Sequence, residues 1–169
     1  MNDAHLHLVV NHFPIIGTIL GLGILIAGLL LKNNSVKNTA YIVLVVAAIF
    51  AFLSMYTGDG AEEMVEDMPN IGKQIIHEHE ELAEKLALLL YATGIFSLVA
   101  LYTSVKSHKF SKMASYITLA LALGTAVLGS SVGTSGGEIR HTEIRDNAVN
   151  SAIENGNSNS ESTTNEKEE

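Results

Sequence analysis

The sequence predicts an all-α integral membrane protein, a four-helix bundle with both termini on the outer, periplasmic side. Three observations carry this. Residues 13–31, 40–56, 86–105 and 116–132 are apolar runs without Asp, Glu, Lys or Arg, each close to the roughly 17–25 residues that cross a hydrocarbon core. The loops at 32–39 and 106–112 are so short that each pair of spans must form an antiparallel hairpin. Charge is also segregated: those two loops hold Lys32, Lys37, Lys106, Lys109 and Lys112 and no acid, while all 18 Asp and Glu lie elsewhere. The positive-inside rule places the lysine loops in the cytoplasm of a cell inner membrane, and the termini with the connection 57–85 outside.

The first residues, Met1, Asn2 and Asp3, lack a basic leader, so no cleavable signal is expected and the first apolar run stays as a span. Span one carries Gly17, Gly21 and Gly28, the first two at a spacing that lets a neighbouring helix approach closely. Span four, with Gly124 and Gly129 among alanines, is its expected partner. Tyr41, Tyr102 and Tyr116 fall at the inner interface and Tyr56 at the outer one, where amphipathic aromatics are enriched.

Between spans two and three, the acidic run Asp59–Asp67, with Glu62, Glu63 and Glu66, reads as a solvated loop or short amphipathic helix. Met55 is expected in the core, and Met64 and Met68 as loop anchors rather than thioether ligands. After span four, residues 133–145 read as a turn-rich segment against the membrane surface, which closes a membrane domain spanning 1–145. Residues 146–169 are Asn, Ser, Glu and Thr-rich, too polar to bury anything, and are expected to be a disordered tail.

Cysteine is absent, which excludes disulfides, thiolate metal sites, iron–sulfur clusters and thioether-linked haem. There is no Ser–His–Asp set, no phosphate-cradling glycine loop and no basic stripe for nucleic acid. What is left is histidine. Of seven, His5, His7, His12, His77, His79 and His141 all fall on the outer side, and only His108 lies in a lysine loop.

Helical phase sorts them. At about 100° per residue, His5 and His12 share one face while His7 points elsewhere. Pro14 decides whether that holds: within the helix it removes a hydrogen bond, whereas at the first turn it makes His12 the lip of the span. On span three, His79 shares a face with Leu82, Ala83, Leu86, Leu90, Thr93 and Ser97, whereas His77 falls with Glu80, Glu81 and Glu84. His12 opposite His79 is then the arrangement that a bis-histidine haem b requires, two neutral imidazoles between apolar walls. His141 with His5 or His7 is a candidate second pair. Zinc or copper on His77, His79, Glu80 and His141 is a weaker possibility, because imidazole and carboxylate suit those ions but the spacing matches no established motif.

His7, with His12, Phe13 and Pro14 after four intervening residues, resembles the opening of a bacterial four-span membrane family of unknown function. Thr57-Gly58 and Gly136-Gly137-Glu138, the latter read as a turn after span four, are similar to that family's other landmarks, so that the likeness covers about residues 5–145. Some members are described as b-type cytochromes or haem-binding subunits linked to redox operons. The resemblance implies His7, His12 and a histidine at the head of span three as ligands. The chain departs from the family pattern at Leu8, where proline is common, and at Ile139-Arg140-His141, where an aromatic residue is usual.

The expected function is a membrane b-type cytochrome-like electron carrier or subunit rather than a stand-alone catalyst, with haem in the outer half of the bundle. Its expected partners are the bilayer, quinone, and an outer-side redox protein or larger respiratory complex, with no nucleic acid. With no histidine inside the inner half of any span, a second haem there is not expected. The alternatives are a non-catalytic anchor or assembly subunit, and a metal-binding or transport protein. Against transport, no charge lies within a span and no span is broken.

Overall fold

A computed structural model describes residues 2–66 and 71–145. Asp67, Met68 and the polar tail from residue 146 lie outside the described residues. The chain forms α1 (Asp3–Val10), α2 (His12–Leu30), α3 (Asn34–Glu63), α4 (Lys73–Val105) and α5 (Ser111–Arg140), then a 3-10 turn at Thr142–Ile144. There is no strand among the described residues. Four helices are long and apolar enough to cross a membrane: Asp3–Leu30, Asn34–Glu63, Lys73–Val105 and Ser111–Arg140.

α1 and α2 are one rod. Asn11, between them, keeps right-handed helical angles, and its N–H still bonds to His7 O. Pro14 therefore sits inside the helix, buried, where its missing N–H deprives only the Val10 carbonyl of its usual partner. An interior proline costs about 3 kcal/mol in water, but a lipid-bathed segment has no alternative conformation that satisfies its other backbone groups.

The helices pack in the ring order α2, α3, α4, α5 and back to α2, each antiparallel to the next, while α1 lies on α3. The two short hairpin loops therefore share one end of the bundle, the lysine end. The start of α1, the α3–α4 connection and the close of α5 share the other, the histidine end. Both lysine-end loops turn in the same way: Lys32 and Ser107 adopt positive φ (51° and 49°), and Asn33 N bonds to Gly28 O as His108 N bonds to Thr103 O. This is the Schellman closure of a helix C-terminus.

Several packing details differ from the sequence expectation. The glycine stripe of span one faces α3, not span four: Cβ atoms on Gly17 and Gly21 would meet Ala47 and Leu44, and one on Gly28 would lie 2.8 Å from the Lys37 backbone nitrogen. Tyr41 is fully buried, and its hydroxyl bonds to Ser115 at 2.7 Å. It is a core hydrogen-bonding residue, unlike the exposed Tyr56, Tyr102 and Tyr116. The turn expected at Gly136-Gly137 is helical, so α5 runs on to Arg140. Arg145 ends it, donating from Nε to Glu138 O and from Nη2 to Ile139 O. The long connection 57–85 is also mostly helix, because α3 continues through Glu63 and α4 begins at Lys73. Its acidic residues Asp59, Glu62 and Glu63 decorate the last turns of α3.

Candidate functional site

His79 is turned inward by the helical phase of α4, on the face of the buried Leu86, Leu90, Thr93 and Ser97. Its Nδ1 lies 2.9 Å from Ser135 Oγ on α5. Ser135 Oγ also reaches Val132 O at 3.1 Å; with the hydroxyl hydrogen on that carbonyl, the oxygen accepts and His79 Nδ1 is the donor. The ring rests against Gly136, where a Cβ would come within 2.9 Å of His79 Cε1 and 3.5 Å of both ring nitrogens. Glycine sits in this helix interior because the imidazole occupies the space of its side chain.

The inward histidine of the first rod is His7. Its Nδ1 faces Ser54 O at 3.1 Å and Thr57 Oγ1 at 3.2 Å, both on α3. A carbonyl only accepts, and the Thr57 hydroxyl is committed to Leu53 O and Ser54 O, so Nδ1 again holds the hydrogen. Gly58 lies beside the ring, with its Cβ direction 3.9 Å from His7 Cε1. The two hairpins thus repeat one device. Each first helix sends in a histidine, and each second helix receives it with a hydroxyl residue followed by glycine, Thr57-Gly58 and Ser135-Gly136.

In both rings Nε2 is left with a bare lone pair and makes no hydrogen bond among the described residues. The rod bearing His7 stands across the bundle from α4, and the two imidazoles lie within electrostatic reach of each other. One turn below His7 on the same face, Asn11 Oδ1 is buried with no hydrogen-bond partner. Apolar layers enclose the level of these residues. Below are Ala51, Leu86, Leu90 and Val132, with Ile15 from α2 packed on them. Above are Ile71, Ile75 and Ile76, with Val65 and Ile139.

The other histidines are elsewhere. His12, the expected partner of His79, is exposed, with Nδ1 bonded to Leu8 O of its own helix at 3.1 Å. It does share a face with His5, as phase predicts, but the shared face is the outward one, because the rod continues through Pro14 instead of starting there. His141 is exposed and pairs with Glu143 at 2.8 Å, outside the bundle. The residue's own backbone N–H, and then the His141 contact, hold the Glu143 carboxyl below the usual carboxylate range. His77 is exposed, with Glu80 and Glu81 at 3.7 and 3.5 Å. Among the described residues no three His, Asp or Glu side chains converge as a metal site, so His77, His79, Glu80 and His141 do not assemble the set considered for zinc or copper.

Sequence reading did not single out Ser54, Ser135 or Asn11 as parts of this site. Thr57-Gly58 and Gly136 were visible only as landmarks. No family model, curated protein or solved structure matches the chain.

Proposed function

We propose that this chain is a membrane b-type cytochrome-like electron carrier or subunit that holds one haem between His7 and His79. The observation that carries the reading is the pair of half-buried imidazoles at one end of the bundle, within electrostatic reach of each other, whose Nδ1 atoms are both engaged by the neighbouring helix, so that both Nε2 atoms are left to a metal. Two protein ligands suffice for haem iron, because the porphyrin supplies the remaining four; a structural zinc site needs four and a catalytic one three.

The remaining residues fit the same group. The Ser54 carbonyl and Thr57 hydroxyl orient His7, and Ser135 orients His79. The isoleucine cluster above and the leucine layer below flank the half-buried imidazoles with apolar walls. Asn11 Oδ1 offers an unused acceptor to a polar edge. Haem bound there supplies one-electron chemistry, which suits exchange between a membrane quinone and a redox protein outside. The lysine loops support a cytoplasmic assignment for their end of the bundle and an outer one for the histidine end.

The test is the reduced-minus-oxidised absorption spectrum of detergent-purified protein from haem-sufficient cells. The reading expects a Soret and α-band difference; a colourless preparation that also fails to take up added hemin contradicts it.

A further inference from the structure

At the lysine end, far from His7 and His79, α4 and α5 line an open groove of about 230 Å3. Phe96, Val99, Tyr102, Phe110, Met113 and Ile117 line it, with His108 at its rim. It is smaller than the roughly 300–1,000 Å3 of a closed small-molecule pocket, and it opens sideways from an apolar helix pair, where a length of hydrocarbon chain fits.

The rim has the opposite character. Phe110 N–H donates to His108 Nδ1 at 3.3 Å, so the imidazole hydrogen is on Nε2, which is a donor. Lys109 Nζ stands over the Phe110 ring at 5.1 Å, while Lys106 and Lys112 flank the loop, exposed. α5 begins here with no side-chain cap and no acid in its first turn, and no acid lies in either lysine-end loop. The turn that presents His108 is fixed by Ser107 in the left-handed region and by the His108 N–Thr103 O bond.

We propose that this groove binds one anionic phospholipid, its acyl chain along Phe96, Val99 and Ile117 and its phosphate on His108 Nε2, Lys109 and Lys112. The charge decides the occupant. Two lysine cations and an imidazole N–H without a single acid favour a phosphodiester over a quinone head, which is uncharged and has no use for two ammonium groups.

The experiment is a melting series on the full chain in uncharged detergent, with phosphatidylglycerol, phosphatidylcholine of the same acyl chains, or inorganic phosphate added. Phosphatidylglycerol is expected to raise the melting temperature by about 3–6 °C at tenfold its dissociation constant, and the other two to leave it unchanged. Two variants are expected to lose the shift: His108→Ala/Lys109→Gln/Lys112→Gln, which removes the rim, and Val99→Phe, which fills the groove and leaves the charge. Lys32→Gln/Lys37→Gln, with the same end of the bundle discharged elsewhere, keeps it. Equal shifts with both lipids, a shift with phosphate alone, or loss of the shift in Lys32→Gln/Lys37→Gln would overturn the proposal. The lipid comparison on the unaltered chain decides even if a variant fails to fold.

Discussion

His79 Nδ1 lies 2.9 Å from Ser135 Oγ, 56 residues further along the chain, and Ser135 accepts from it when its own hydrogen is on Val132 O, 3.1 Å away. Ser135→Ala removes the acceptor without touching the ring. Outer partners of this kind typically change metal affinity about 10–100-fold, so the apparent hemin dissociation constant is expected to rise by that order. Optical titration of the variant measures it, and Ser135→Thr, which keeps the hydroxyl, is expected to restore much of it.

Gly136 and Gly58 make an internal comparison. A methyl on Gly136 collides with the His79 ring at 2.9 Å, whereas one on Gly58 meets His7 at an ordinary 3.9 Å. Gly136→Ala is expected to abolish hemin binding and to cost about 1–3 kcal/mol of overpacking, while Gly58→Ala leaves binding intact. Circular dichroism and the hemin titration, run on both variants, check the contrast.

The α2–α3 seam orders a second glycine series. Gly28→Ala drives its methyl onto the Lys37 backbone, which cannot yield; Gly21→Ala meets the Leu44 side chain, which has rotatable bonds to shift; Gly23→Ala meets nothing within 4 Å. The expected melting temperatures therefore fall most for Gly28→Ala and less for Gly21→Ala. Gly23→Ala is unchanged or gains up to about 1 kcal/mol of helix propensity.

Tyr41→Phe tests the buried hydroxyl pair near the lysine end. Ser115 donates to Ser111 O, so the Tyr41 hydroxyl is the donor in their 2.7 Å contact. Its loss leaves an unmet acceptor within the bundle and is expected to cost about 0.5–1.5 kcal/mol, read as a small fall in melting temperature with unchanged hemin binding.

Phase arithmetic on α4 was enough to separate the inward His79 from the outward His77, because that helix runs uninterrupted from Lys73 to Val105. On the first rod the same arithmetic turned on Pro14, and local sequence does not say whether a proline begins a helix or is carried inside one. Once Pro14 lies within the helix, His7 faces Thr57 and His12 faces outward. Neither ring's hydrogen-bond partners were legible, since the Ser54 carbonyl and the Ser135 hydroxyl that meet them lie about 50 residues away in sequence. Gly136-Gly137 looked like a turn for a similar reason: the ring and the Ile144 side chain that require small residues there come from elsewhere in the fold.

The most direct measurement is the reduced-minus-oxidised spectrum of three single variants purified side by side with the unaltered protein. The account predicts that His7→Ala and His79→Ala each lose the six-coordinate b-type α band while His12→Ala keeps it at full intensity. An α band that survives in His7→Ala but disappears in His12→Ala would contradict it.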